Sequence, residues 1–147
     1  RGPNIMRGYH GMPEATAKVL DSDGWFRTGD MGQLDSDGYL SITGRIKEML
    51  IVGGENVFPR EVESVLEAHP DVEACGVIGR ADEKRGEVPV AFVELRDESS
   101  LQPSELRSWA GERLAPYQCP REVLVVDTLP RNPTGKVQRR ELHALLP

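Results

Sequence analysis

The chain has only two cysteines, Cys75 and Cys119, far apart and with no Cys-x-x-Cys pair. Neither a disulfide framework nor a metal site is suggested by them, and a reducing, cytoplasmic setting is the expectation. Apolar residues nowhere run for the ~20 positions a membrane helix requires, and no basic-then-apolar stretch opens the chain as a secretion signal. Positive charge is also scarce. Eighteen Lys and Arg face 24 Asp and Glu, a net charge of −6, so the whole-chain field repels nucleic acid and anionic lipid. His10, His69 and His143 fall in no ligand-like spacing, and no metal is expected here.

What is present suits an ordinary soluble domain, or a small domain with part of another: 147 residues, 38% hydrophobic and 29% charged, enough to bury a core. The chain opens on Arg1 without an initiator methionine and reads as a piece of something longer.

The first forty-odd residues are dense in turn signals: DSDG at 21–24, TGD at 28–30 and DSDG again at 35–38, separated by short extended segments. Asp-Gly supplies the positive-φ turns of hairpins. From Gly44 the pattern changes. EMLIVGG reads as a strand and loop, and Pro59 opens a helix with Val62, Val65 and Leu66 on one face. EACGVIG and VPVAFVELR are strands joined by a polar loop, RADEKRGE. A helix from Pro103 carries Leu106, Trp109, Ala110 and Leu114, REVLVVD is a further buried strand, and a last helix from about Gln138 buries Leu142, Leu145 and Leu146. The expectation is an α+β fold: a small three-stranded-sheet domain with flanking helices plus a β-hairpin.

Three stretches carry candidate chemistry, and each has a purely structural alternative. Asp30 in RTGD can be a turn carboxylate bonding nearby amides, or an acceptor for the two hydroxyls of a vicinal diol such as ribose. Gly53 and Gly54 can be an ordinary loop before a helix, or bare backbone past which a narrow ligand runs. In PRNPTGKVQRREL, Lys136 can be a solvated side chain after a Gly turn. Read at a helix start, however, it opposes the macrodipole at a cost of a few tenths of a kcal/mol, roughly, unless an anion offsets it.

Together these residues resemble the AMP-forming acyl-CoA synthetases, the adenylate-forming superfamily of acyl- and aryl-CoA ligases, firefly luciferase and nonribosomal adenylation domains. RGPNIMRGYHGMPEAT, DGWFRTGD, GYLSITGRIKEMLIVGGENVFPREVE and LPRNPTGKVQRREL are similar, in order and spacing, to four successive motifs of that superfamily and cover nearly the whole chain. Its upstream phosphate-binding loop and aromatic-Gly-x-Thr-Glu segment have no counterpart here. The resemblance therefore implies residues 1–45 as the β-rich end of a large N-terminal domain and 46–147 as the mobile C-terminal domain.

It also implies roles. The reaction joins a fatty or aromatic carboxylate to AMP from Mg-ATP, releasing pyrophosphate, and CoA then displaces AMP. Lys136 matches the lysine that reaches the substrate carboxylate and the reacting phosphate. Asp30 matches the carboxylate on the ribose hydroxyls, Arg45 an arginine on the nucleotide, and Lys47 the hinge whose rotation swings the domain between half-reactions. Gly53 and Gly54 match the loop lining the tunnel for CoA's pantetheine arm. The expected partners are the large N-terminal domain, ATP, the acid and CoA, with the magnesium site outside this chain. Pro130 and Gly135-Lys136 fit a context in which a lysine acetyltransferase modifies the lysine.

Two other readings stand beside this one. An adenylation domain loading a carrier protein would show a phosphopantetheine attachment site downstream. A non-catalytic interaction module would lack the upstream phosphate loop in its full-length gene.

Overall fold

The computed structural model describes residues 1–147. By their internal contacts they fall into two units, Arg1–Ile42 and Thr43–Pro147, dividing a little before the expected boundary at residue 45.

The first unit is small and open. Helix α1 (Pro13–Val19) begins on a proline, whose missing N–H costs nothing in a first turn. An isolated bridge joins Leu20 to Phe26, and strand β1 (Asp30–Leu34) pairs with β2 (Leu40–Arg45), whose last residues belong to the second unit. No residue of this first unit is buried, and Trp25, Tyr39, Leu40 and Ile42 are each more than half exposed. Apolar side chains spaced along a strand yet left in water indicate a sheet that lacks its covering layer.

Its two DSDG turns are the same device. Asp21 accepts the amides of Asp23 and Trp25 on Oδ1, and Asp35 accepts those of Asp37 and Tyr39, at 2.8–3.0 Å. Gly24 and Gly38 take φ of 78° and 85°, which only glycine adopts without strain.

The second unit begins with a 3₁₀ turn, Ile46–Glu48, followed by β3 (Leu50–Val52) and β4 (Glu55–Val57). Helix α2 (Pro59–Glu67) comes next, then the long strands β5 (Val72–Asp82) and β6 (Gly86–Leu95), α3 (Pro103–Gly111), β7 (Glu122–Val125) and the short α4 (Arg139–Leu142). Prolines again open α2 and α3, and Glu105 caps α3 by accepting the Gln102 amide at 2.8 Å.

The fold is α+β, as expected, but one sheet takes in five strands, where a three-stranded sheet plus a β-hairpin was expected. β6 is its spine: β5 pairs along one edge, antiparallel, while β3 and β7 share the other, β3 antiparallel at Gly86 and β7 parallel at Val90–Val93. The strand absent from the sequence reading is β4. Its polar start, Glu55-Asn56, conceals a short outer strand hydrogen-bonded to β3.

Alternation along the central strands divides the core into two layers. On one face, Cys75, Val77, Ala91 and Val93 pack with Val62 and Leu66 of α2 and Leu106 and Ala110 of α3. On the other, Ile78, Val90 and Phe92 pack with Leu129 and Leu142 of the terminal segment. That segment lies close because β5 has Gly76 beneath it: a Cβ there would sit 2.7 Å from Leu142 Cδ1 and 3.1 Å from Val137 Cγ1. The terminal helix is shorter than the pattern predicts. α4 gives way at His143 to a 3₁₀ turn, and Leu145 stays 45% exposed instead of joining the core.

Candidate active site

The second unit presents Lys136 on a turn, not on a helix. Asn132 Oδ1 accepts the amides of Thr134 (3.0 Å) and Lys136 (2.9 Å) and the Thr134 hydroxyl (2.7 Å). Its own N–H goes to the Lys136 carbonyl at 2.9 Å, and Gly135 has a φ of 82°. This is the DSDG turn a third time, with Asn for Asp. Arg131 and Val137 close the loop by an antiparallel bridge, and α4 starts only at Arg139. Contrary to expectation, Lys136 opposes no long helix dipole: it precedes a helix of one turn, and its placement comes from the Asn132 turn. Its side chain is exposed.

Just beyond it, Arg139 is tied inward. Its Nε and Nη2 donate to the two oxygens of Glu63 at 2.9 and 2.6 Å, and Nη1 donates to Glu48. Glu63 is only 2% exposed and also accepts the Val77 amide at 2.9 Å. Burial alone would lower the pKa of Arg139, but the bonds and charge of Glu63 outweigh it and hold the pKa above its ordinary value. A buried carboxylate survives here because a guanidinium fork and a backbone N–H satisfy it together.

Lys47 occupies the middle of the 3₁₀ turn, exposed, directly before Glu48. It lines a cavity of about 240 Å³ with Glu48, Pro59, Glu87, Arg139 and His143. Arg45, exposed, ends β2, and Asp30, half-buried in the first unit, begins β1 with its amide on Thr28 Oγ1 at 3.0 Å.

Gly53 and Gly54 are the two central residues of the β3–β4 hairpin, with φ of 62° and 92°. A two-residue turn with both φ positive matches the twist of the flanking strands, and no atom lies within 4 Å of where either Cβ would be. Gly53, Glu55, Arg85, Pro116 and Tyr117 border an open cavity of about 330 Å³.

Arg85 and Pro116 also border a second cavity, of about 340 Å³, which collects Lys84, Arg107 and Arg121 around the single carboxylate of Asp82. In a chain of net charge −6 this is a local concentration of cations. The sequence pattern conceals it, because RADEKRGE, Arg107 and Arg121 lie on separate elements that meet only in the fold. Asp82 is held below the ordinary carboxylate pKa, first by the Arg85 amide and then by that of Lys84. It thereby fixes the β5–β6 turn that supplies two of the cations. Lys136 is not among the residues lining any of these three cavities.

Both cysteines are free thiols. Burial, then the Glu63 charge, pushes Cys75 well above the ordinary thiol value; burial raises Cys119 as well.

The profile of the AMP-binding enzyme C-terminal domain matches residues 61–136. The chain belongs to that family. It is 50% identical over all 147 of its residues to the 2-succinylbenzoate–CoA ligase of Geobacillus kaustophilus (strain HTA426), covering 30% of that protein. It is 48% identical over 142 residues to a feruloyl-CoA synthase of Amycolatopsis sp., covering 97% of this chain and 29% of the relative. ATP-bound MatB from Rhodopseudomonas palustris superposes with a TM-score of 0.90 at 39% identity, over 99% of this chain and 29% of MatB. The chain thus spans about a third of the length of the relatives it matches, at the C-terminal side of AMP-forming CoA ligases.

Proposed function

We propose that this chain is the mobile, lysine-delivering part of an ATP-dependent, AMP-forming acyl-CoA ligase, working in the cytoplasm on an aromatic or fatty acid. The observation that carries the reading is Lys136 on its Asn132 turn: an exposed ammonium held at its backbone by two bonds of 2.9 Å. Such a cation, carried into an active site on a larger domain, stabilises charge spread over the phosphoryl oxygens and holds a carboxylate against them. Asp30 would accept the ribose hydroxyls and Arg45 would contact the nucleotide. Lys47 would be the pivot between the acyl-AMP and thioester steps. The magnesium accompanying ATP would be held by the rest of the enzyme.

Two cavities that share Arg85 and Pro116 support free CoA as the acceptor. The Gly53-Gly54 hairpin offers bare backbone to a slender thiol arm. Lys84, Arg85, Arg107 and Arg121 offer positive charge to phosphates at its far end. That combination fits free CoA, with its pantetheine arm and nucleotide phosphates. It also favours free CoA over a carrier protein, which bears the arm without the nucleotide. The exposure of Lys136 would also admit an acetyltransferase, and acetylation would remove the charge adenylation needs.

The test is Lys136→Ala in the full-length enzyme. Acyl-AMP formation, read by pyrophosphate exchange, should fall by the equivalent of roughly 3 to 4 kcal/mol, the worth of one preorganised charge-stabilising donor. Thioester formation from supplied acyl-AMP and CoA should persist. Equal loss of both with the fold intact would refute the assignment.

A further inference from the structure

Arg139 does more than satisfy a buried carboxylate. Two of its donors are spent on Glu63, and the third edge of the guanidinium holds Glu48. Glu48 is the residue immediately after Lys47, in a 3₁₀ turn whose C-terminal end is capped by a long bond of 3.4 Å from the Met49 amide to the Ile46 carbonyl. Glu63 is anchored in turn to β5 through the Val77 amide. The interior that holds Arg139 therefore also holds the residue next to Lys47, while Lys47 stays exposed beside the cavity it lines with Glu48 and Arg139.

Resting on the hinge role proposed for Lys47, we propose that Arg139 is a positioning residue: it clamps Glu48 to the domain interior, so that rotation is confined to Lys47 and the residue before it. A pivot delivers a distant side chain accurately only if few torsions are soft, and Glu48 and Met49 would otherwise join the soft segment. Arg139 also lies in the segment that carries the Lys136 turn, which Gly76 lets pack onto β5. One guanidinium thus fastens the hinge end and the lysine end to the same body. An arginine is required, because a lysine has no planar fork with which to serve Glu63 on one side and Glu48 on the other.

Two variants in the full-length protein test this. Glu48→Gln removes the clamped charge and leaves the Glu63–Arg139 pair whole. Arg139→Lys keeps a cation beside Glu63 and loses the fork. Both should accelerate hydrogen exchange at the amides of residues 48–50 by about tenfold, and Glu48→Gln, which leaves Glu63 satisfied, should keep β5 and β6 protected as in the wild type. Both should lower kcat for thioester formation about tenfold, with KM for ATP and for the acid within about twofold, as expected when positioning fails and binding does not. Unchanged exchange at 48–50, unchanged kcat, or faster exchange across β5 and β6 in Glu48→Gln as well would each overturn the clamp. If the wild-type enzyme makes no acyl-AMP, the proposed function fails, and the exchange pattern alone then decides the clamp.

Discussion

Lys136 donates its amide to Asn132 Oδ1 at 2.9 Å, and Asn132 returns its own amide to the Lys136 carbonyl at the same distance. Trp25 with Asp21, and Tyr39 with Asp35, make the same pair of bonds at 2.8–3.1 Å. Because the turn needs only a short side-chain oxygen at its first position, Asn132→Asp should preserve it. Asn132→Ala should lose about 1 kcal/mol or more locally, since three bonds to Oδ1 disappear at once. Amide exchange at Thr134 and Lys136 checks this: fast in Asn132→Ala, near wild type in Asn132→Asp.

That equivalence also shows how far the sequence can be read. The two DSDG copies are legible as turns, because Asp and Gly each carry a local reason for the conformation. NPTGK obeys the same rule, but its proline and lysine suggest a helix entry, and only the hydrogen bonds reveal the hairpin. The long apolar strands and the proline-led helices are likewise local and readable. Three features are not. β4 is held by pairing rather than by its own composition. The partners Arg139, Glu63 and Glu48 are far apart in sequence, and each resembles an ordinary surface charge. The cationic cleft is assembled from three separate elements.

The cleft makes a prediction about the acceptor. Arg121→Ala should raise the KM for CoA several-fold, because one of the four cations proposed to face the phosphates is lost. It should leave the KM for pantetheine, which lacks the nucleotide, unchanged. Steady-state kinetics with both thiols decide the matter: an equal effect on the two would detach the cleft from CoA binding, and raised salt should shrink the CoA effect.

Asp82 gives a pH dependence. Its folded pKa is lowered from 3.8, chiefly by the Arg85 amide and next by that of Lys84. A depressed carboxylate contributes order that is fully present above the unfolded value and lost as pH falls through the folded one. The β5–β6 turn should therefore hold through neutral and mildly acid pH and loosen only below about 3.8. Following the Lys84 and Arg85 amide shifts by NMR against pH tests this; a transition near pH 5 would contradict it.

The two thiols should separate in reactivity. Thiolate is the reactive form, and Cys75 is both 3% exposed and raised well above the usual pKa by burial and by Glu63. Cys119, half-buried and raised by burial, should label slowly at pH 8, and Cys75 only on unfolding. A disulfide-exchange titration of the native chain should count one thiol, and denaturant should release the second. Prompt labelling of both would mean that the layer packed on α2 and α3 opens readily.

Lys47→Pro is the complement of Lys136→Ala. Proline fixes φ near −65°, inside the range of the 3₁₀ turn in which Lys47 sits, and biases Ile46 away from the helical region. The substitution thus leaves Lys136, Asn132 and Arg139 untouched while removing torsional freedom where the swing is proposed to occur. In the full-length enzyme, pyrophosphate exchange should continue, because the lysine can still stand at the reacting phosphate. Thioester formation from synthetic acyl-AMP should fall by at least the tenfold that about 1.4 kcal/mol of hindered rotation implies. Retention of both activities would show that the domain turns about some other residue, and the clamp on Glu48 would then have no pivot to define.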